Sequence, residues 1–151
     1  MRVQLALSLP REAISVPLTR HTVSAALYTA GVEPTCVDEV EVALSEACTN
    51  AVQHAVDGVS YEVMVNISDE QVMIDVVDSG SGFGQRDVTP DGTDHAAENG
   101  RGMTLMEVLS DLAVFDSVNG DEGGSVHLMK RLRWIQGALR PGATQNGNRA
   151  R

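Results

Sequence analysis

Three polar residues recur four positions apart in the stretch VDEVEVALSEACTNAVQHA, Val37 to Ala55: Glu46, Asn50 and His54. On a helix, side chains at that spacing stand one above another. A carboxylate such as Glu46 can take the proton of an attacking hydroxyl. The amide oxygen of Asn50 is a hard, neutral ligand of the kind that suits Mg²⁺. Beside them Val37, Val40, Leu44, Ala47, Ala51 and Ala55 recur at three and four, which predicts a second, apolar stripe facing a core. The polar stripe would border that buried face and look into a pocket. The same residues also fit the ordinary solvated edge of an amphipathic helix, so this segment alone does not decide between the two.

Two glycine-bearing stretches lie further on. In Asp78-Ser79-Gly80-Ser81-Gly82-Phe83 an acidic residue ends a predicted strand and two spaced glycines follow. Backbone without side chains can approach a flat or phosphorylated ligand closely, and the Asp78 carboxylate can accept from an exocyclic amine such as that of adenine. An ordinary glycine-rich turn has the same composition. Gly100-Arg101-Gly102-Met103 precedes a helical pattern, and the spacing predicts a helix opening at Gly102. Free N–H groups and the positive end of the helix would favour phosphate there, with Arg101 as a forked cation.

The elements that must position these residues follow from periodicity. Arg2 to Leu9 alternates, with Val3, Leu5, Leu7 and Leu9 on one side, and predicts a half-buried strand stopped by Pro10. A helix is expected from about Pro17 to Ala30, ended by Gly31. The long helix opens near Pro34 and is expected to end near Asp57-Gly58. Val59 to Ile67 and Gln71 to Val77 alternate and read as an antiparallel hairpin around Ser68-Asp69-Glu70. A long glycine-rich, charged segment without periodicity follows, expected as a lid over 85–99. A short helix to about Asp111 and strands over Leu112–Val118 and Ser125–Leu132 complete the pattern. The order β-α-α-β-β-α-β-β predicts a two-layer α/β (α+β) sandwich: an antiparallel or mixed sheet with helices on one face. Residues 1–135 are expected as one domain and 136–151 as a disordered tail.

Composition narrows the chemistry. The 151 residues carry 21 acidic and 11 basic side chains, a net charge of −10. That disfavours direct nucleic-acid binding, which needs a basic footprint. Aromatics are only 3%, so the core must come from Val, Leu, Ala, Ile and Met. Cys36 and Cys48 belong to no CxxC or Cys/His cluster, which argues against a cysteine metal site, and Cys48 reads as a small buried residue. MRVQLALSLP is unlike a secretory leader, and no stretch approaches the ~20 apolar residues of a membrane helix. The expectation is a cytoplasmic protein without a membrane partner.

Taken in order, SEACTNAVQHA, DSGSGF and GRGMTLM resemble the N, G1 and G2 boxes of the GHKL ATPase superfamily, the Bergerat fold of gyrase, MutL and histidine-kinase catalytic domains. The short form is similar to the anti-sigma-factor serine/threonine kinases of the RsbW and SpoIIAB type, over about Val3 to Leu132. The resemblance implies ATP and Mg²⁺ as cofactors. It makes Glu46 the general base, Asn50 the Mg²⁺ ligand and Asp78 the acceptor for the adenine amino group. Gly80 and Gly82 would shape the adenine pocket. Gly100 and Gly102, with Met103 beside them, would present N–H groups to the phosphates, and Arg101 would stabilise charge. His54 would pack or orient. Where these kinases carry Gly-Thr before the last strand, this chain has Gly123-Gly124-Ser125, so Ser125 would supply the adenine contact from the next position or the contact is lost. The implied partners are a STAS-type anti-anti-sigma protein, a sigma factor and a second copy of the chain. A nucleotide-gated module that holds a partner without phosphorylating it is the alternative.

Overall fold

The computed structural model describes residues 1–53, 60–78, 95–117 and 124–137. β1 (Val3–Pro10) alternates as its sequence dictates, with Leu9 buried and Val3, Leu5 and Leu7 packed at the margin of the core. Pro10 ends the strand from within. It can do so because β1 is an edge strand, where a missing N–H costs little in the ladder.

α1 (Ser15–Ala30) begins two residues before Pro17, which leaves the proline in the first turn, where its missing N–H would have had no helical partner. It stops as expected at Gly31, whose φ of 92° is left-handed. The Gly31 N–H donates to Tyr28 O at 3.0 Å and Val32 N–H to Leu27 O at 3.1 Å, the paired bonds of a Schellman turn. α2 (Pro34–Gln53) buries Val37, Val40, Leu44, Ala47 and Ala51, the expected stripe, together with Cys36, Ala43 and Cys48. Ala55, His54 and the expected end near Gly58 lie outside the described residues.

β2 (Ser60–Ile67) and β3 (Gln71–Asp78) form the expected antiparallel hairpin, closed by Ser68 N–H to Gln71 O at 2.9 Å. α3 (His95–Leu109), β4 (Leu112–Ser117) and β5 (Gly124–Arg131) follow. The five strands are antiparallel in the order β1-β2-β3-β5-β4, which makes this an α+β fold. Tyr61, Val63, Val65, Ile67, Val72, Ile74, Val76, Val126 and Leu128 turn one face of the sheet to the helices. α2 packs against both α1 and α3.

α3 corrects one expectation. It starts at His95 rather than Gly102, so Gly100 and Gly102 are interior residues. Ala and Glu at 96–98 are strong helix formers, and packing on α2 outweighs the ~1 kcal/mol that each interior glycine costs against alanine.

The C-terminal strand is tied to α2 and α3 by charge. Lys130 Nζ lies 2.6 Å from Glu39 and donates to Leu109 O at 2.7 Å, at the end of α3. Arg133 reaches Glu33 and Glu39, each at 3.3 Å. Trp134 Nε1 donates to Asp69 O at 2.9 Å, which ties the chain beyond β5 to the β2–β3 turn. Of the expected tail, residues 138–151 lie outside the described residues.

Candidate functional site

α2 holds Glu46 and Asn50 where the spacing placed them. Ala47 and Ala51, one position on from each, are fully buried and fix the rotation of the helix. Glu46 is half-buried at the edge of the helix layer and Asn50 is 4% exposed. Opposite them runs α3. A Cβ built on Gly102 would stand 2.8 Å from Glu46 Oε2 and 3.8 Å from Asn50 Oδ1. Any side chain there would displace the carboxylate. While the flexible Glu46 side chain holds this position, only glycine fits opposite it without contact strain.

The expected N box and G2 box thus meet, but not by the expected means. The free N–H groups of a helix start are not what Gly100 and Gly102 provide here, since both lie within α3. Gly102 instead supplies room. Its neighbours are arranged by the 100° step of the helix: Arg101 is exposed, and Met103 packs against the hydrophobic core. Gly80, Gly82 and His54 lie outside the described residues.

Asp78 ends β3 on the helix side of the sheet and is 3% exposed. Its carboxylate forms an ion pair with Arg11 Nη2, and both side chains are buried. Burial lowers the Arg11 pKa from its ordinary value. Beside the pair lies a chain of buried hydroxyls. Tyr61, directly across from Asp78 in β2, bonds Ser15 Oγ at 2.7 Å. Ser15 Oγ donates to Glu12 O at 2.8 Å, so the tyrosine is the donor in that contact. Thr19 Oγ1 donates to Ser15 O at 2.8 Å. Burial pushes the Cys48 thiol and the Tyr61 phenol each up to about 12, so both remain neutral near pH 7. Cys48 is the inert buried residue its sequence context implied.

Ser125 corrects a second expectation. Asp78 is in register with Gly124, and Val77 with Ser125. Residues in register share a face, and successive residues alternate. Gly124 therefore faces the Asp78 side, where it offers no hydroxyl. Ser125 faces the other side of the sheet, where its Oγ lies 3.4 Å from His127 Nε2. His127 Nδ1 in turn contacts Asp75. A strand position one residue over cannot replace a side chain across the pleat.

Arg11 was not legible in the sequence. It is a single basic residue after Pro10, and its contact with Asp78 spans the whole β1-to-β3 separation. A metal centre of three or more His, Cys, Asp or Glu side chains is absent among the described residues. Asn50 Oδ1 and Glu46 Oε2 are the oxygen donors at the Gly102 cradle.

Comparison with known proteins bears on this geometry. Residues 9–130 match the histidine kinase-like ATPase domain family. The chain belongs to that family. It is 32% identical over 137 residues to the serine-protein kinase RsbW of Bacillus velezensis, covering 83% of this chain and 84% of that protein. With the protein of the same name from Bacillus pumilus it shares 33% over 139 residues, again 83% and 84% of the two chains. It is thus of the RsbW-type kinases within the GHKL superfamily. Its fold is similar to that in the crystal structure of the RsbU and RsbW domains of Rv1364c from Mycobacterium tuberculosis, with a TM-score of 0.67 at 20% identity. That match covers 88% of this chain and 34% of the other. No helix among the described residues is long and apolar enough to cross a membrane.

Proposed function

We propose that this chain is a cytoplasmic, ATP-dependent serine/threonine protein kinase that acts as an anti-sigma factor. Its substrate would be a small STAS-type anti-anti-sigma protein. Phosphorylation would release that antagonist and leave the kinase free to sequester a sigma factor, and a homodimer would be the working unit. The observation that carries the reading is the convergence of Glu46, Asn50 and Gly102 across the α2–α3 contact. It joins a base, a hard oxygen ligand and cleared space, as phosphoryl transfer requires of a protein whose task is positioning and charge stabilisation.

Glu46 would accept the proton of the substrate hydroxyl as its oxygen attacks the γ-phosphorus. Asn50 Oδ1 would ligate Mg²⁺. One neutral protein oxygen suits an ion that keeps most of its shell for water and phosphate oxygens, and the donor set present is of that kind. Bound there, Mg²⁺ would neutralise phosphate charge. Asp78 would accept from the adenine amino group, with Gly80 and Gly82 shaping the pocket. Gly100, Met103 and Arg101 would flank the phosphates from α3.

One observation favours a second reading, a nucleotide-gated module that holds a partner without phosphorylating it: Gly124 brings no hydroxyl to the Asp78 side. Phosphate transfer separates the two. The parent chain and Glu46→Ala are incubated with γ-labelled Mg-ATP and a lysate of the source organism. A labelled small protein that depends on Glu46 supports the kinase. Bound ATP without any labelled band moves the assignment to the binding module.

A further inference from the structure

Arg11 lies in the connection between β1 and α1, ahead of the first turn of α1. Its side chain is 3% exposed and that of its partner Asp78 is 2%. A guanidinium carries five N–H donors in a rigid fork. Nη2 meets Asp78 Oδ1, and Nε donates to Ser60 O at 3.4 Å. Nη1 and Nη2 are both buried with no hydrogen-bond partner among the described residues, Nη2 being held against Asp78 as an ion pair only. Burying a charge and leaving its terminal donors without hydrogen bonds is costly, and an ion pair out of water contributes little net stability to offset that. Burial works against the charge of Arg11 as well.

The arrangement places an acceptor, the carboxylate, on the same fork as a spare donor. A planar ligand edge that offers an N–H next to a ring-nitrogen lone pair satisfies both. The adenine edge is of this type, with its amino group beside N1. Gly124 faces Asp78 without a hydroxyl of its own and so offers a base no side-chain contact there. We propose that Arg11 is a base-reading residue of the nucleotide site, holding Asp78 as the ionised acceptor for the adenine amino group and offering Nη1 to the neighbouring ring nitrogen. The proposal rests on the ATP-binding reading given above. It adds a residue outside the three glycine- and asparagine-bearing boxes.

The test measures dissociation constants of Mg-ATP and of the Mg complex of purine riboside triphosphate, which keeps the ring nitrogen but lacks the amino group. The full chain, Arg11→Gln and Arg11→Lys are compared. The parent should prefer ATP. Arg11→Gln should bind ATP about 10- to 100-fold more weakly, as expected for a lost charged hydrogen bond, and its preference for ATP should narrow. Arg11→Lys keeps the charge and a donor and should recover part of the affinity. If Arg11→Gln does not fold, Arg11→Lys carries the test: ATP binding several-fold weaker than the parent's supports the proposal, and parental binding overturns it. ATP affinity in Arg11→Gln within about twofold of the parent, or tighter, also overturns the proposal while leaving the kinase assignment standing. A parent chain that binds no ATP overturns both.

Discussion

The α2–α3 contact and the end of β3 are built on opposite plans. At the first, side chains proposed for catalysis are positioned by removing matter: Gly102 has no side chain, and the Glu46 carboxylate lies where a Cβ would press on it. At the second, the carboxylate proposed to read the base is paired with an added charge: Arg11 is buried against Asp78. The helix side is therefore sensitive to anything that adds volume, and the strand side to anything that unbalances charge. Phosphoryl transfer and base recognition should separate along the same line.

The largest effect expected on the helix side is that of Glu46→Ala. Loss of a general base lowers rates by about 10²–10⁴. Because Glu46 is not among the groups placed to hold the base, ATP affinity should stay close to that of the parent. Single-turnover transfer measured beside equilibrium binding checks both numbers. Equal losses in the two would erase the division between the regions.

Gly102→Ala comes next. Alanine is the better helix residue by about 1 kcal/mol, yet its Cβ would meet Glu46 Oε2 at 2.8 Å. The carboxylate must give way. A displacement of about 1 Å in a reacting group can cost about 10²-fold in rate, whereas the folding terms largely cancel, to within about 1–2 kcal/mol. Transfer should fall far more than thermal stability, and a variant that loses stability and keeps its rate would contradict the cradle.

The two regions also differ in how much of them could be read in advance. Glu46, Asn50 and the apolar stripe of α2 follow from i, i+4 spacing, which is a local property of one helix. The element order, the hairpin and the Gly31 stop are likewise short-range. The start of α3 was misplaced because glycine weakens a helix locally, and only packing on α2, a tertiary fact, restores it. Arg11 was missed because nothing in its neighbourhood records a partner two strands away. Ser125 was assigned by adjacency along the chain, whereas the pleat of β5 puts neighbouring residues on opposite faces.

A smaller effect tests what keeps α3 against α2. Lys130 spans Glu39 on α2 and the last carbonyl of α3, while Arg133 adds to the same carboxylate. The hydrogen bond from Lys130, more than any other influence, holds the Glu39 carboxyl below its ordinary range. A lowered folded-state pKa contributes stability above the unfolded-state value, and that contribution is lost as pH falls through the folded one. Glu39→Gln should cost about 0.5–1 kcal/mol at neutral pH, the scale of partly exposed pairs. Urea midpoints of parent and variant should converge as the solution is acidified below the carboxylate range. A gap that persists in acid would mean the residue acts through packing alone.

The smallest effect belongs to Ser125→Ala, and it bears on the strand side. The hydroxyl lies 3.4 Å from His127 on the face of the sheet away from Asp78. Losing so long a contact should change stability by no more than about 0.5 kcal/mol. Nucleotide affinity should not change at all if the alternation of β5 governs what reaches the base. Gly124 in that case is the position at which a hydroxyl would count, and Gly124→Thr should tighten ATP binding where Ser125→Ala leaves it alone. A several-fold loss of ATP affinity in Ser125→Ala would mean that β5 shifts register by one residue when nucleotide binds. Asp78 would then face a serine instead of a glycine, and the base site would owe less to Arg11.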